Sequence, residues 1–370
     1  MKPNDKEFVT IIIPCRDEAR YVERCLGSVL GFRRPVDLDF EVLVMDGRST
    51  DGTKARADGI AGRDPRVRVL DNPGLIQSTA VNAGVRAGRG QWIMRLDAHA
   101  EYPADYLWLC YETAVRSGAD NVGGLFITEP GGTGYSAQLV QALTTHSFGV
   151  GDSGFRTGAK EDWADTVPYG FYRRDVFDRI GWLDERLVRA QDYEFNRRLV
   201  AAGGRILRNP HIQISYYNQP TIGAFYAKQF FREAPYNAYL WYIAPYAFAL
   251  RHAITGVFAI GVLGGLLLSP LSRWISWPFT AVMALYALLA VVSAAQQGVR
   301  YHKPLHILCL PWCFFLFHFV HGLGVLVGLL RLLTRTSPVQ RIAEPWPGAG
   351  RYRAWPDSSK KPPVRPVFDD

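Results

Sequence analysis

The chain has 370 residues, with 42 Lys and Arg against 34 Asp and Glu, a formal net charge of +8. That length holds one large domain or two. The basic excess suits an anionic lipid surface or a diphosphate substrate, and with no nucleic-acid-binding motif beside it, nucleic acid is set aside as a partner. Cys15, Cys25, Cys110, Cys309 and Cys313 are odd in number and scattered, which argues against a disulfide framework and for a reducing compartment. The polar start, MKPNDKEF, has no signal-peptide core, so the first domain is expected to stay where it is made.

The first half alternates strands and helices. VTIII (9–13) is an unbroken β-branched run suited to a strand buried on both faces. A helix is expected from about Ala19 to Leu30, a strand over EVLVMD (41–46), a helix over Thr50 to Ala61 and a strand over Val67 to Leu70. Ser78 can cap a helix running to about Ala87, and QWIMRLDA (91–98) reads as the next strand. This alternation predicts a mostly parallel sheet in an α/β domain. Glu129 to Tyr169, rich in Gly, Ser, Thr and Asp, lacks periodicity and reads as a mobile substrate loop or as disordered surface. Asp192 to Ala202 looks helical.

The second half changes character. Phe225 to Phe248 mixes Phe, Tyr and Trp with Lys228, Arg232 and Glu233, a composition for helices lying in a headgroup layer. Apolar stretches at about 253–271, 277–295 and 305–333 each approach the length that crosses a bilayer core. Three crossings would put the basic, Pro-rich tail (336–370) opposite the first domain, against the positive-inside tendency. Either one stretch is re-entrant, or 305–333, with Pro311, Gly322 and Gly324, bends back on itself.

Four polar segments end predicted strands or open a helix: PCRDE (14–18), MDGRSTDGT (45–53), LDAHA (96–100) and AQDYEF (190–195). Ligands of open α/β sheets bind at such strand ends. Asp97 and His99, two apart, project to one face and could share a divalent cation. Asp51 has a bland reading as a helix cap, as does Asp192.

In the order and spacing of these segments the chain resembles family 2 glycosyltransferases of the GT-A fold over about residues 8–235. The resemblance is strongest to membrane-bound glucosyltransferases of succinoglycan-type exopolysaccharide assembly, whose metal motif is similarly LDAHA. It implies a GT-A nucleotide-sugar domain over 1–235, interfacial helices over 225–250, transmembrane helices over 251–335 and a tail over 336–370. It implies Glu18 and Asp46 on the nucleoside, with Pro14, Arg16, Ser49, Asp51, Arg95 and Asp97 completing the donor site. Asp97 and His99 would hold manganese or magnesium, and Asp192 would be the base that activates the acceptor hydroxyl. Trp163, Tyr169 and Gly170 are the expected acceptor pocket, joined by Gln229 and Arg232 of QFFRE (229–233). Arg156 and Lys160 could meet a lipid diphosphate.

Three departures from the family pattern stand out. Gln191 replaces a frequent Glu, and Val81 in STAVN (78–82) occupies a position often held by a cation. Glu233 replaces the Trp of the processive synthases' Q-x-x-R-W motif, which favours addition of a single sugar. The expected activity is inverting transfer of a hexose, glucose from UDP-glucose, to a polyprenyl-diphosphate-linked saccharide. The enzyme would be multi-pass in the inner (plasma) membrane, with its catalytic domain cytoplasmic. Alternatives are a polyprenyl-phosphate glycosyltransferase, a processive synthase and a non-catalytic scaffold.

Overall fold

A computed structural model describes residues 7–158 and 160–340. The basic tail beyond Gln340 therefore lies outside the described residues. The described residues form two compact units, one built from 7–127 and 158–215, the other from 128–157 and 216–340. The expected boundary at 235 thus falls at 215/216, and an internal segment joins the second unit.

The first unit is built on one sheet. Its strands are β1 (Glu7–Cys15), β2 (Leu38–Asp46), β3 (Val67–Asp71), β4 (Trp92–Arg95), β5 (Asn121–Glu129), β6 (Asp162–Trp163), β7 (Phe171–Arg173) and β8 (Ile206–Tyr217). They lie in the order β3-β2-β1-β4-β7-β5-β8-β6. β1 pairs in parallel with β2 and β4, and β2 with β3. β4–β7, β5–β7 and β6–β8 are antiparallel.

The β-branched run of β1 is central because both its faces are covered. Val9, Ile11 and Ile13 pack toward α1 (Val22–Leu30) on one side. Ile12, with Leu43 and Met45 of β2, faces α3 (Gln77–Ala87) on the other. Successive strand residues point to opposite faces, so a continuous apolar run is what a doubly covered strand needs. From β3 the chain returns through α3 to the far side of β1. The strand order therefore reverses between β1 and β4, the place where open α/β sheets open a crevice at their carboxyl ends.

Several boundaries differ from expectation. α1 starts at Val22, not Ala19, because the preceding residues are held by the loop after β2. α2 (Thr53–Ala61) starts after Gly52, whose φ of 94° is cheap only for glycine. Ser78 does not cap α3: the cap position is Ile76, and Ser78 is buried inside the helix. β4 stops at Arg95, because its antiparallel partner covers only Trp92–Met94 and the Asp97 N–H turns to the Tyr102 hydroxyl at 2.8 Å. α4 (Tyr106–Ser117) then covers the sheet.

Residues 129–169 are not a structureless loop. They contain α5 (Tyr135–Thr144), α6 (Ser147–Val150), α7 (Gly154–Thr157) and β6. α5 folds because Leu139, Val140 and Leu143 are buried within the second unit. α8 (Asp175–Ile180) and α9 (Gln191–Ala201) complete the first unit.

The second unit continues with α10 (Ile222–Lys228), a π-helical turn over Gln229–Glu233 and α11 (Ala234–Ile243). α12 (Leu250–Leu268), α13 (Arg273–Arg300) and α14 (Leu305–Leu333) follow. Among the described residues, three helices are long and apolar enough to cross a membrane: Leu250–Leu271, Arg273–Arg300 and Leu305–Leu333. α14 is one continuous 29-residue helix, so 305–333 does not fold back. Its glycines are packing notches: a Cβ at Gly322 would lie 2.0 Å from the Thr255 carbonyl oxygen, and one at Gly328 2.7 Å from that of Pro235. α11, expected in a headgroup layer, buries Ala234, Ala238, Tyr239 and Leu240.

α14 is also a polar hub. Its three histidines each find a partner on a different neighbour: His306 with the Tyr135 hydroxyl (2.8 Å), His318 with Tyr286 (2.7 Å) and His321 with Thr255 (2.9 Å). Polar side chains between apolar helices are costly unless paired in this way.

Candidate active site

The loops after β1 and β2 are laced together. Asp17 N donates to Ser49 Oγ (2.9 Å), Glu18 N to Thr53 Oγ1 (2.7 Å) and Ala19 N to Asp51 Oδ2 (3.0 Å). Thr50 N returns a bond to Asp17 Oδ1 at 2.8 Å. Asp51 Oδ1 meanwhile accepts from Thr53 N at 3.0 Å, at the mouth of α2. Its carboxyl is lowered, first by the Thr53 hydroxyl and then by the Ala19 N–H. Ser49 and Asp51, expected to hold the donor, are thus occupied in building the loops.

Asp46 differs. It is 2 % exposed; Oδ2 accepts from Ser49 N at 3.2 Å, and Oδ1 has no partner among the described residues. A buried, unmet carboxylate oxygen at a strand end is an acceptor waiting for a donor. Pro14 pairs in register with Met45 beside it. Arg16 is half exposed and lies 3.8 Å from Asp17.

Arg95, at the end of β4, is the electrostatic centre. Its Nη2 lies 2.6 Å from Asp97 Oδ1, and its guanidinium lies over the Tyr169 ring, 5.1 Å from the centroid. Burial alone would lower the Arg95 pKa, but Asp97 and then Asp192 outweigh it, so the guanidinium is raised. Arg95 and Asp192 line one cavity together with Gln77 and Gln191. The strand-end segment LDAHA and the helix-opening segment AQDYEF therefore converge there, with Arg95 between their aspartates.

The two glutamines bridge the same segments by a second route. Gln191 Nε2 donates to Gln77 Oε1, and Gln77 Nε2 donates to Asp97 Oδ1 at 3.2 Å. Gln77 was not singled out from sequence; the one available signal was Gln191 standing where Glu is frequent. Tyr102 was missed too, though its hydroxyl holds both the N–H and the carbonyl of Asp97.

His99 Nε2 faces Asp97 Oδ2 at 3.9 Å, and its Nδ1 lies 3.0 Å from Glu18 Oε1. The imidazole pKa is raised, first by the Glu18 hydrogen bond, against the opposing effect of burial. Among the described residues no three or more His, Cys, Asp or Glu side chains form a metal cage. One oxygen and one nitrogen facing each other suit a divalent ion whose remaining positions go to substrate phosphates or water. Manganese or magnesium therefore fits Asp97 and His99.

The expected acceptor residues divide between the two units. Tyr169 is buried (4 % exposed), with φ of 48°, and its ring supports Arg95 and packs on Tyr102 and Phe126. Gly170 accepts from Arg95 N at 3.2 Å, and a Cβ there would lie 2.3 Å from the Tyr172 ring. Trp163 stands on edge strand β6, four places from β4, under the Arg205 guanidinium. Gln229 and Arg232 belong to the π-helical turn of the second unit, as Arg156, stacked on Tyr216, belongs to that unit. Lys160 is exposed.

Asp17, Arg48, Leu75, Tyr169 and Ala190 are non-glycine residues in left-handed backbone, with φ between 48° and 65°. Each lies on, or next to, a segment that carries a site residue, where strained backbone commonly collects.

Comparison with known proteins agrees with this geometry. Residues 10–181 match the glycosyl transferase family 2 model. The chain is similar to the succinoglycan biosynthesis protein ExoA of Rhizobium meliloti (strain 1021), 38% identical over 56% of this chain and 62% of that protein's length. It is similar over 88% of its length, at 25% identity, to 98% of a dolichyl N-acetyl-alpha-D-glucosaminyl phosphate 3-beta-D-2,3-diacetamido-2,3-dideoxy-beta-D-glucuronosyltransferase of Methanococcus voltae. The solved mannosyltransferase PcManGT from Pyrobaculum calidifontis, in complex with GDP-Man and Mn2+, shares the fold with a TM-score of 0.52 at 17% identity, covering 89% of this chain and 88% of that one. Residues 10–181, which match that family model, thus lie on a GT-A-like fold, and helices apolar enough to span a membrane follow.

Proposed function

We propose that the chain is an inverting glycosyltransferase of exopolysaccharide or lipid-linked glycan assembly. It moves a hexose, glucose from UDP-glucose, onto a polyprenyl-diphosphate-linked saccharide. The observation that carries this reading is the meeting of Asp97 and Asp192 at Arg95. The similarity to ExoA supports exopolysaccharide synthesis, and the Methanococcus voltae relative, by its name, acts on a dolichyl-linked sugar. On this reading the enzyme is a multi-pass plasma-membrane protein with its catalytic domain in the cytoplasm.

Each residue then has a task. The unmet Asp46 oxygen accepts from the nucleobase or ribose. Arg95 serves as the cation that Val81 does not provide and holds the Asp97 carboxylate in place. Asp192 takes the proton of the acceptor hydroxyl as it attacks the anomeric carbon from the face opposite the leaving diphosphate. A divalent cation, when bound by Asp97 and His99, supplies neutralising charge for that diphosphate.

The test is transfer from a panel of labelled nucleotide sugars to a lipid extract, using membranes that contain the full chain. Label should enter the lipid-diphosphate fraction from UDP-glucose, stop on chelation and return with manganese. No transfer from any nucleotide sugar would overturn the function; transfer that survives chelation would overturn the metal role.

A further inference from the structure

Glu18 is the last residue of the first motif, PCRDE (14–18), where the resemblance assigns it to the nucleoside. Its carboxylate instead meets His99, with Oε1 3.0 Å from Nδ1. An imidazole that donates from Nδ1 presents the lone pair of Nε2, and Nε2 is the nitrogen turned toward Asp97 Oδ2. A carboxylate behind a ligating imidazole is the usual way a protein fixes both tautomer and ring direction.

The backbone around Glu18 is built to hold it there. Asp17, just before it, takes a left-handed turn with φ of 55°. Glu18 N is tied to Thr53 Oγ1 and Ala19 N to Asp51 Oδ2. Glu18 is therefore clamped from α2, across the β1–β2 rim, and its side chain reaches over to the loop after β4. The lacing by Asp51 and Thr53 sets the position of this carboxylate.

We propose that Glu18 is a positioning residue that orients His99 for the divalent cation. This inference rests on the metal reading given above. The test uses the full chain in detergent, with Mn2+ alone as probe, and counts free Mn2+ by its electron paramagnetic resonance signal. Glu18→Ala should weaken Mn2+ binding by about 10- to 100-fold, whereas Glu18→Gln, which keeps an acceptor oxygen for Nδ1, should retain most of the affinity. In a His99→Asp background no imidazole remains to be oriented, and Glu18→Ala should change the affinity by no more than about twofold. An unchanged Mn2+ affinity in Glu18→Ala would overturn the inference. An equal loss in the wild-type and His99→Asp backgrounds would overturn it in favour of a general structural role. Wild-type protein that binds no Mn2+ would overturn the metal site and this inference together, whereas a failure confined to Glu18→Ala leaves the metal site standing. Should Glu18→Ala fail to fold, Glu18→Gln against His99→Gln gives the same comparison: matching losses in the two would overturn the inference.

Discussion

Replacing Asp192 by Asn separates chemistry from folding. Asp192 is the second residue of α9, and the cap position is Ala190, which makes no side-chain capping bond. Asp192 Oδ1 accepts only from the N–H of Tyr193, at 2.8 Å, a bond the Asn carbonyl oxygen can keep. The structural cost is the favourable charge at a helix N-terminus, about 0.3–1 kcal/mol, together with the attraction of Asp192 for the buried Arg95 guanidinium. Arg95 stays paired with Asp97. Loss of a general base costs roughly 100- to 10,000-fold in rate, or about 3–5 kcal/mol of transition-state stabilisation. Asp192→Asn should therefore keep a near wild-type thermal midpoint and KM for the nucleotide sugar while kcat falls by at least about 100-fold. The assay is kcat and KM with labelled donor and saturating lipid acceptor, beside a melting curve of the same preparation. A residual kcat within about tenfold of wild type would refute the base assignment, because it lies below what general-base catalysis contributes.

Two further predictions concern groups nearby. Arg198 and Glu194 form a pair only 3 % and 2 % exposed inside α9, and Arg198 also donates to the Ile180 and Trp182 carbonyls. Arg198→Met takes the guanidinium away from a buried carboxylate and should destabilise by about 3–5 kcal/mol, whereas Glu194→Leu with Arg198→Met should recover much of that. A double variant melting no higher than the single one would refute this account. Burial, then Glu18 and Asp46, push the Cys15 thiol up to about 12, and burial pushes Cys25 and Cys110 up as well. At pH 8 the Cys15 thiolate is only about one part in ten thousand. Mass spectrometry should find Cys15, Cys25 and Cys110 unmodified by iodoacetamide in folded protein and modified after denaturation; rapid native labelling of Cys15 would contradict the packing.

What was legible in the sequence was whatever is local. The VTIII run specifies a doubly covered strand without help from distant residues, and acidic residues after successive strands must reach the same sheet rim if the strands are parallel. Asp46, Arg95 and Asp97 follow from that logic, as do the three long apolar helices. Pairings between distant segments were not legible. Nothing near Ser49 or Asp51 says that their oxygens are taken by backbone N–H groups of residues 17–19. Nothing near Gln77 says that Gln191 will meet it. Trp163 looked like a sugar platform because an aromatic beside a carboxylate often is; its place on the far edge strand depends on a sheet order that no short window encodes. α5 was hidden for a related reason. Its ten residues are bracketed by glycines and turn formers, and their helicity comes from burial by tertiary neighbours.

The membership of α5 in the second unit bears on how the enzyme can be taken apart. The chain leaves the first unit after 127, returns at 158 and leaves again after 215. No single cleavage site severs one unit from the other. A soluble fragment ending near 235 would keep α5 but lose α13 and α14, whose Ala294, Leu310 and Phe314 share its apolar cluster. Leu139, Val140 and Leu143 would then meet water, and such a fragment would be drawn to detergent, to bilayers or to its own copies. Dissection into halves thus calls for excision of 128–157 with a linker that joins residues 127 and 158, rather than truncation.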